Sequence, residues 1–254
     1  MRVARISFRQ KISYALVEAD CFRLLASFPG EDFVFTGEEI DLKEARLLSP
    51  SVPSKIVALG LNYRDHAREL GLPLPQEPLI FLKPPSAVIG PEEEIIIPPE
   101  SKRVDYEAEL AVVIGRRARR VSPEKALDYV LGYTCFNDVT ARDLQKKDGQ
   151  WTRAKSFDTF APLGPWIETA LDPSALRVCS YLNGLLRQDS STAELIFPVP
   201  EIISFVSRIM TLEPGDIIAT GTPPGIGALS PGDQIEIEIE GIGRLRNYVL
   251  SQTQ

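Results

Sequence analysis

The chain has 254 residues, 44% of them hydrophobic and 25% charged, a globular composition that excludes wholesale disorder and is too long for a small disulfide scaffold. Twenty-eight Lys and Arg against 35 Asp and Glu leave a net charge of -7, so neither nucleic acid nor membrane is expected as a partner; a small molecule or a second copy of the chain is. Three cysteines, Cys21, Cys135 and Cys179, with no CxxC pair argue against zinc and disulfides and suit a cytoplasmic protein.

The N-terminal segment MRVARISFRQKIS breaks its apolar positions with Arg, Gln and Lys and does not read as a signal peptide. No stretch approaches the roughly 18 apolar residues of a spanning helix. With 21 prolines, long helices are not expected and the chain reads as strand-rich. Short alternating runs through Val3, Ile6, Phe8, Ile12, Tyr14, Leu16, Phe22 and Leu24 predict a small β unit. The Pro/Ser-rich segment 49–54 then sets a boundary, giving an N-terminal β unit over 1–52 and a larger domain over 53–254.

Beyond the boundary, 55–59 predicts a strand and 62–70 a short helix stopped by Gly71. Strands follow at 79–83, 94–97 and 107–115. Ser122-Pro123 predicts a capped helix start, and a strand at 132–137 leads into a polar helix at 140–147. Asn183-Gly184 between 179–182 and 185–188 is a strong hairpin signal. Residues 199–210 are apolar at helical spacing, and strands at 216–220, 234–239 and 244–250 end the chain, the last two as a hairpin around Gly241-Ile242-Gly243. Without a βαβ period, the fold class is α+β, a strand-rich roll, rather than a doubly wound sheet.

Three acids draw attention. Glu107 and Glu109, two apart on a predicted strand, share a face with Cα atoms roughly 7 Å apart, while Ala108, Leu110, Val112 and Ile114 form an apolar opposite face. Asp138 ends the strand 132–137. All-oxygen ligands favour Mg2+, Mn2+ or Ca2+ over zinc; the spacing alone equally suits a solvated strand face and a helix cap. His66, the single histidine, shares a helix face with Glu69 at i,i+3, a spacing open to a base dyad or to a charged surface turn. Lys83 ends an apolar strand and Lys155 lies between aromatic residues, placing each either beside the acids or at a snorkelling edge. The segment 220–227, TGTPPGIG, lacks the ending of a phosphate loop but suits a carboxylate cradle.

Seven ordered segments, GLNYRDHAREL, PLIFLKPPSAVIGP, VDYEAELAVVIG, GYTCFNDVTARDLQ, WTRAKSFDTFAPLGPW, LNGLLRQDSSTAELIFPVPEIISFVS and LEPGDIIATGTPPGIG, closely resemble the fumarylacetoacetate hydrolase family, in its compact acylpyruvase-like or 2-hydroxyhepta-2,4-diene-1,7-dioate isomerase-like branch. The resemblance spans about 55–248. It implies the family's mixed β-sandwich roll with a variable N-terminal unit, paired as a homodimer. It implies Glu107, Glu109 and Asp138 as ligands of Mg2+ or Mn2+, with Ca2+ able to substitute in crystals. It further implies His66, Glu69 and Lys155 as catalytic residues, His66 and Glu69 sitting on a lid helix, and Lys83, Gln145 and Thr222 as contacts to a keto acid. The larger animal enzyme has a fourth carboxylate ligand, and Gly60-Leu61-Asn62-Tyr63 offers none here. The expected activity is hydrolysis of a C–C bond in acylpyruvate-type diketo acids through a metal-bound enolate. Isomerisation, tautomerisation or decarboxylation of a related keto acid is the alternative, and a non-catalytic metal-binding module a distant one.

Overall fold

The computed structural model describes residues 1–30 and 32–252. The first strands, Arg2–Phe8, Lys11–Val17, Cys21–Leu25 and Phe35–Asp41, form an antiparallel meander in sequence order, and Arg46–Leu48 pairs back on the first of them. Arg2–Phe8 also pairs with Ala161–Glu168, Arg2 opposite Glu168 and Val3 opposite Ile167. The N-terminal unit is therefore the outer part of the main sheet. From Ala161–Glu168 that sheet continues through Val130–Asn137, Ala108–Ile114, Ile217–Ala219, Ile56–Leu59 and Ile80–Lys83. A second, five-stranded sheet runs Leu185–Ser191, Arg177–Leu182, Gln234–Ile239, Gly243–Ser251 and Glu94–Ile97, and a small third sheet joins Thr140–Ala141, Val104–Tyr106 and Gly227–Ala228. The fold is strand-rich α+β, as predicted.

The core lies between the two larger sheets. Leu110, Val112 and Ile114 pack with Val178, Ile235, Ile237, Ile239, Leu245 and Val249, each burial stabilising the fold by about 1.5–3 kcal/mol. The alternate residues Ala111 and Val113 are buried as well, against Ile56, Ile217 and Leu163 on the far face. Ala108–Ile114 is thus a central strand covered on both sides, not the half-solvated strand that alternation suggests. The strand Ala161–Glu168 is buried along nearly its whole length, although Pro162, Gly164 and Pro165 give its sequence the look of a loop. Pro162 sits where this strand pairs in parallel with Val88–Ile89.

Among the described residues the α-helices are α1 (Arg64–Leu70), α2 (Arg142–Asp148), α3 (Thr152–Lys155) and α4 (Val199–Ile209). In α4, Val199, Ile202, Ile203 and Val206 recur at i, i+3, i+4 and i+7 and are buried in the core, the spacing of one apolar helix face. The helix predicted after Ser122-Pro123 is a 3-10 helix, Pro123–Tyr129, without a side-chain cap bond from Ser122. The Asn183-Gly184 hairpin forms as expected, both residues having positive φ (53° and 78°).

One buried acid fastens the connection between the N-terminal unit and the rest. Asp216 is fully buried and accepts from Ser54 N (3.0 Å), Ser54 Oγ (2.7 Å), Lys55 N (3.2 Å) and Glu213 N (2.8 Å), and it also pairs with the Lys55 ammonium. This places Ile56–Leu59 parallel to Ile217–Ala219. Asp216→Ala orphans several donors at once and is expected to cost about 3 kcal/mol. Urea unfolding of the two proteins measures that difference.

Candidate active site

Glu107 stands between two strands. The chain leaves Val104–Tyr106 in the small sheet and enters Ala108–Ile114 in the main one, and Glu107 occupies the junction rather than sharing a strand with Glu109. Its N–H donates to Asn137 Oδ1 at 3.0 Å. Asp138 directly follows Val130–Asn137, whose Asn137 lies opposite Ala108. The strand pairing therefore brings the three acids together: carboxylate oxygens of Glu107, Glu109 and Asp138 lie within 4.8 Å of one another, all buried.

Cations surround two of these acids. Lys155, at the end of α3, donates to Glu107 Oε2 at 2.9 Å and Asp138 Oδ2 at 2.6 Å. Lys83 pairs with Asp138 and donates to Val139 O at 3.1 Å. Arg142 at the start of α2 pairs with Glu107 and with Asp105 Oδ2 (2.9 Å), and donates to Gln145 Oε1 at 2.7 Å. Lys83 and Lys155 are 1% and 2% exposed, so neither snorkels to solvent. Burial opposes ionisation of Glu107, but Lys155 and Arg142 outweigh it and hold the carboxyl at about 2. Burial likewise opposes the charge on Lys155, and Asp138 and Glu107 raise it nonetheless. Burial dominates at Lys83, which is lowered despite Asp138.

Glu109 differs. Its partner among the described residues is the Gly221 N–H, at 2.9 Å, and burial followed by repulsion from Asp138 and Glu107 raises its carboxyl well above the usual range. Gly221 has φ +95°, and a Cβ there would come within 2.9 Å of Asn62 Cβ; only glycine lets this loop close on the acid. The loop 220–227 thus cradles a carboxylate of the protein itself. Three buried acids, one without a cation, form an all-oxygen donor set suited to a hard divalent ion.

A cavity of about 360 Å³ opens onto Glu107, Glu109 and Lys155, with His66, Gln145 and Thr222 also in its wall. His66 is 7% exposed, and its Nδ1 lies 2.8 Å from Glu69 Oε2. Glu69 Oε1 accepts from Gly225 N at 3.2 Å. Helix α1 ends on Gly71 in the left-handed region, Leu72 N bonding back to Ala67 O. It is tied down by Arg64 to Leu195 O, by Ser190 Oγ to Asp65, and by Arg68 to Glu194.

Thr222 reaches the cavity with its hydroxyl engaged, donating to Ala108 O at 2.9 Å and facing Gln188 Nε2 at 2.8 Å. Gln145 Oε1 accepts from Arg142, and its amide NH2 has no protein partner among the described residues. Lys83, paired with Asp138, is not among the residues that line this cavity. Arg142, Asp105 and Gln188 belong to the site without having been read from the sequence. Arg142 shares a helix face with Gln145 at i,i+3, the one local signal for it. Buried Gln188 accepts from Ala108 N at 3.0 Å, a contact visible only once the hairpin is folded.

Residues 55–250 match the family model described as fumarylacetoacetate (FAA) hydrolase C-terminal. The chain belongs to the fumarylacetoacetate hydrolase family. Residues 1–50 match a second model, Rv2993c-like, N-terminal. Within the family, the chain is similar to 5-carboxymethyl-2-hydroxymuconate delta-isomerase from Mycobacterium smegmatis, with a TM-score of 0.95 and 43% identity over 99% of this chain and 100% of that one. It is equally similar to 2-hydroxyhepta-2,4-diene-1,7-dioate isomerase from Mycobacterium marinum, with a TM-score of 0.94 and 43% identity over 100% of both chains. Oxaloacetate tautomerase FAHD2B, mitochondrial, of Bos taurus is 46% identical over 220 residues, 82% of this chain and 70% of its own. These are names of isomerases and a tautomerase, so the family's enzymatic character stands while hydrolysis, the leading expectation, has weaker support than its alternative. No helix among the described residues is long and apolar enough to cross a membrane.

Proposed function

We propose that this enzyme isomerises small 2-oxo acids, moving a proton between carbon and oxygen of the keto and enol or dienol forms. The observation that carries the reading is one cavity lined by two different groups of residues. Lys155, Glu107 and Glu109 line it as one group, and His66, braced by Glu69, lines it as the other. A divalent ion held by Glu107, Glu109 and Asp138 would supply Lewis-acid polarisation of a substrate's carboxylate and 2-oxo oxygens.

The protein's own groups account for the proton movements. With Nδ1–H donating to Glu69, the His66 Nε2 lone pair is free to act as a base. It takes a proton from the carbon next to the 2-oxo group, the electron pair shifting to oxygen, and the protonated ring then hands that proton to the oxygen; the reverse passage returns it to carbon. In the dienol direction the 2-hydroxyl gives its proton to His66, the electron pair moves through the diene, and the protonated ring returns that proton to a distal carbon. Lys155, kept charged by its two acids, stabilises the oxyanion between the two transfers. Leu59, Phe81 and Trp151 in the same wall limit water, the reagent that hydrolysis requires.

The test is to follow the ultraviolet absorbance of 2-hydroxyhepta-2,4-diene-1,7-dioate and of enol-oxaloacetate with Mg2+, Mn2+ or chelator present. Pyruvate release is assayed in parallel, with an acylpyruvate included. Metal-dependent loss of enol absorbance without pyruvate is the expected result. Pyruvate released from the acylpyruvate at a comparable rate would return the assignment to hydrolysis.

A further inference from the structure

Helix α2 presents three polar residues to the cavity: Arg142, Gln145 and Lys146, which at i, i+3 and i+4 share one helix face. Arg142 is committed to Glu107 and Asp105, and Gln145 to Arg142. Lys155 in the same wall is committed to Glu107 and Asp138. Lys146 has no ion pair or hydrogen bond within the protein among the described residues. It is exposed, and it lines the cavity from the solvent side. Four residues, about 6 Å of rise, separate it along the helix axis from Arg142, which holds Glu107.

The same lining has an apolar part, Leu59, Leu61, Leu70, Leu72 and Phe81. Leu70 and Leu72 are each 49% exposed, so part of this surface is open for a ligand to cover. The lining therefore combines an oxygen-binding cluster, an apolar surface and, among the described residues, a single uncommitted cation. A ligand matching those three features has a 2-oxo acid head, a hydrocarbon spacer and a second anion at its far end.

We propose that Lys146 receives the distal carboxylate of a 2-oxo dicarboxylate and so sets the preference for diacids over monoacids. This rests on the 2-oxo acid reading of the site and names the substrate class within it. Lys146 touches neither the acid cluster nor the His66–Glu69 pair, which makes it a specificity residue.

The experiment measures binding, so it does not depend on which reaction follows. Dissociation constants of 2-oxoheptanedioate and 2-oxohexanoate are determined by calorimetry with Mn2+ present, for the wild type, Lys146→Met, Lys146→Arg and Lys147→Met. The wild type is expected to prefer the diacid by about tenfold, the scale of one partly solvated charge-assisted contact. Lys146→Met should erase that preference by weakening diacid binding alone, and Lys146→Arg should retain it. Lys147→Met removes the same charge from the neighbouring residue, which does not line the cavity, and should also retain it. A preference unchanged in Lys146→Met, or equally lost in Lys147→Met, overturns the assignment while leaving the 2-oxo acid reading intact. Failure of the wild type to bind either compound overturns both.

Discussion

Replacing His66 with alanine is expected to lower kcat for dienol isomerisation by about 10²–10⁴-fold, the usual contribution of a positioned general base. The expectation follows from geometry. His66 is 7% exposed, lines the cavity, and has one ring nitrogen occupied by Glu69, leaving the other for substrate. The acid cluster is held by Lys155, Lys83, Arg142 and the Gly221 N–H, none of which touches His66. Mn2+ titration of His66→Ala should therefore give wild-type affinity while stopped-flow absorbance reports the slower reaction. A variant that turns over at the wild-type rate would remove His66 from the chemistry.

Glu109→Gln is the second large effect, and it has two readouts of opposite sign. Loss of one carboxylate from the proposed ligand set should weaken Mn2+ binding by at least the roughly 10–100-fold that outer-shell changes commonly cost, and the metal-induced rise in melting temperature should shrink accordingly. Without metal the variant should be the more stable protein at neutral pH. Burial, then Asp138 and Glu107, raise the Glu109 carboxyl well above its ordinary value of 4.5, so the folded protein binds a proton that the unfolded chain releases. The stability linked to that proton is complete below 4.5 and is lost as pH rises through the folded value. Glutamine has nothing to titrate and escapes the loss. Melting curves in chelator from pH 5 to 8 should fall more steeply for wild type than for Glu109→Gln, and parallel curves would refute the account.

Much of the site was legible because its chemistry needs particular residue types at short spacings. His66 and Glu69 sit one helical turn apart, and Asn183-Gly184 demands a hairpin whatever surrounds it. The acids were found, but their setting was not. Period-two alternation put Glu107 on the same strand as Glu109, whereas it occupies the crossing between two sheets, a feature that depends on strands far away in the chain. Ala161–Glu168 escaped notice because two prolines and a glycine outweighed its apolar residues; its neighbours in the sheet, including Arg2–Phe8, decide the matter. Arg142 and Gln188 are ordinary surface types by composition. Their meaning comes from partners such as Glu107 and Ala108, which no local pattern links to them.

The long sheet has two ends. At the end remote from the cavity, Phe35–Asp41 is exposed at all but one position and carries Glu38, Glu39 and Asp41. An unsatisfied backbone rim invites addition of a foreign strand, yet a second molecule approaching rim to rim would bring acid against acid. The N-terminal meander thus serves as a charged selvedge: it carries the raw border of the sheet away from the catalytic strands and makes that border repel its own kind.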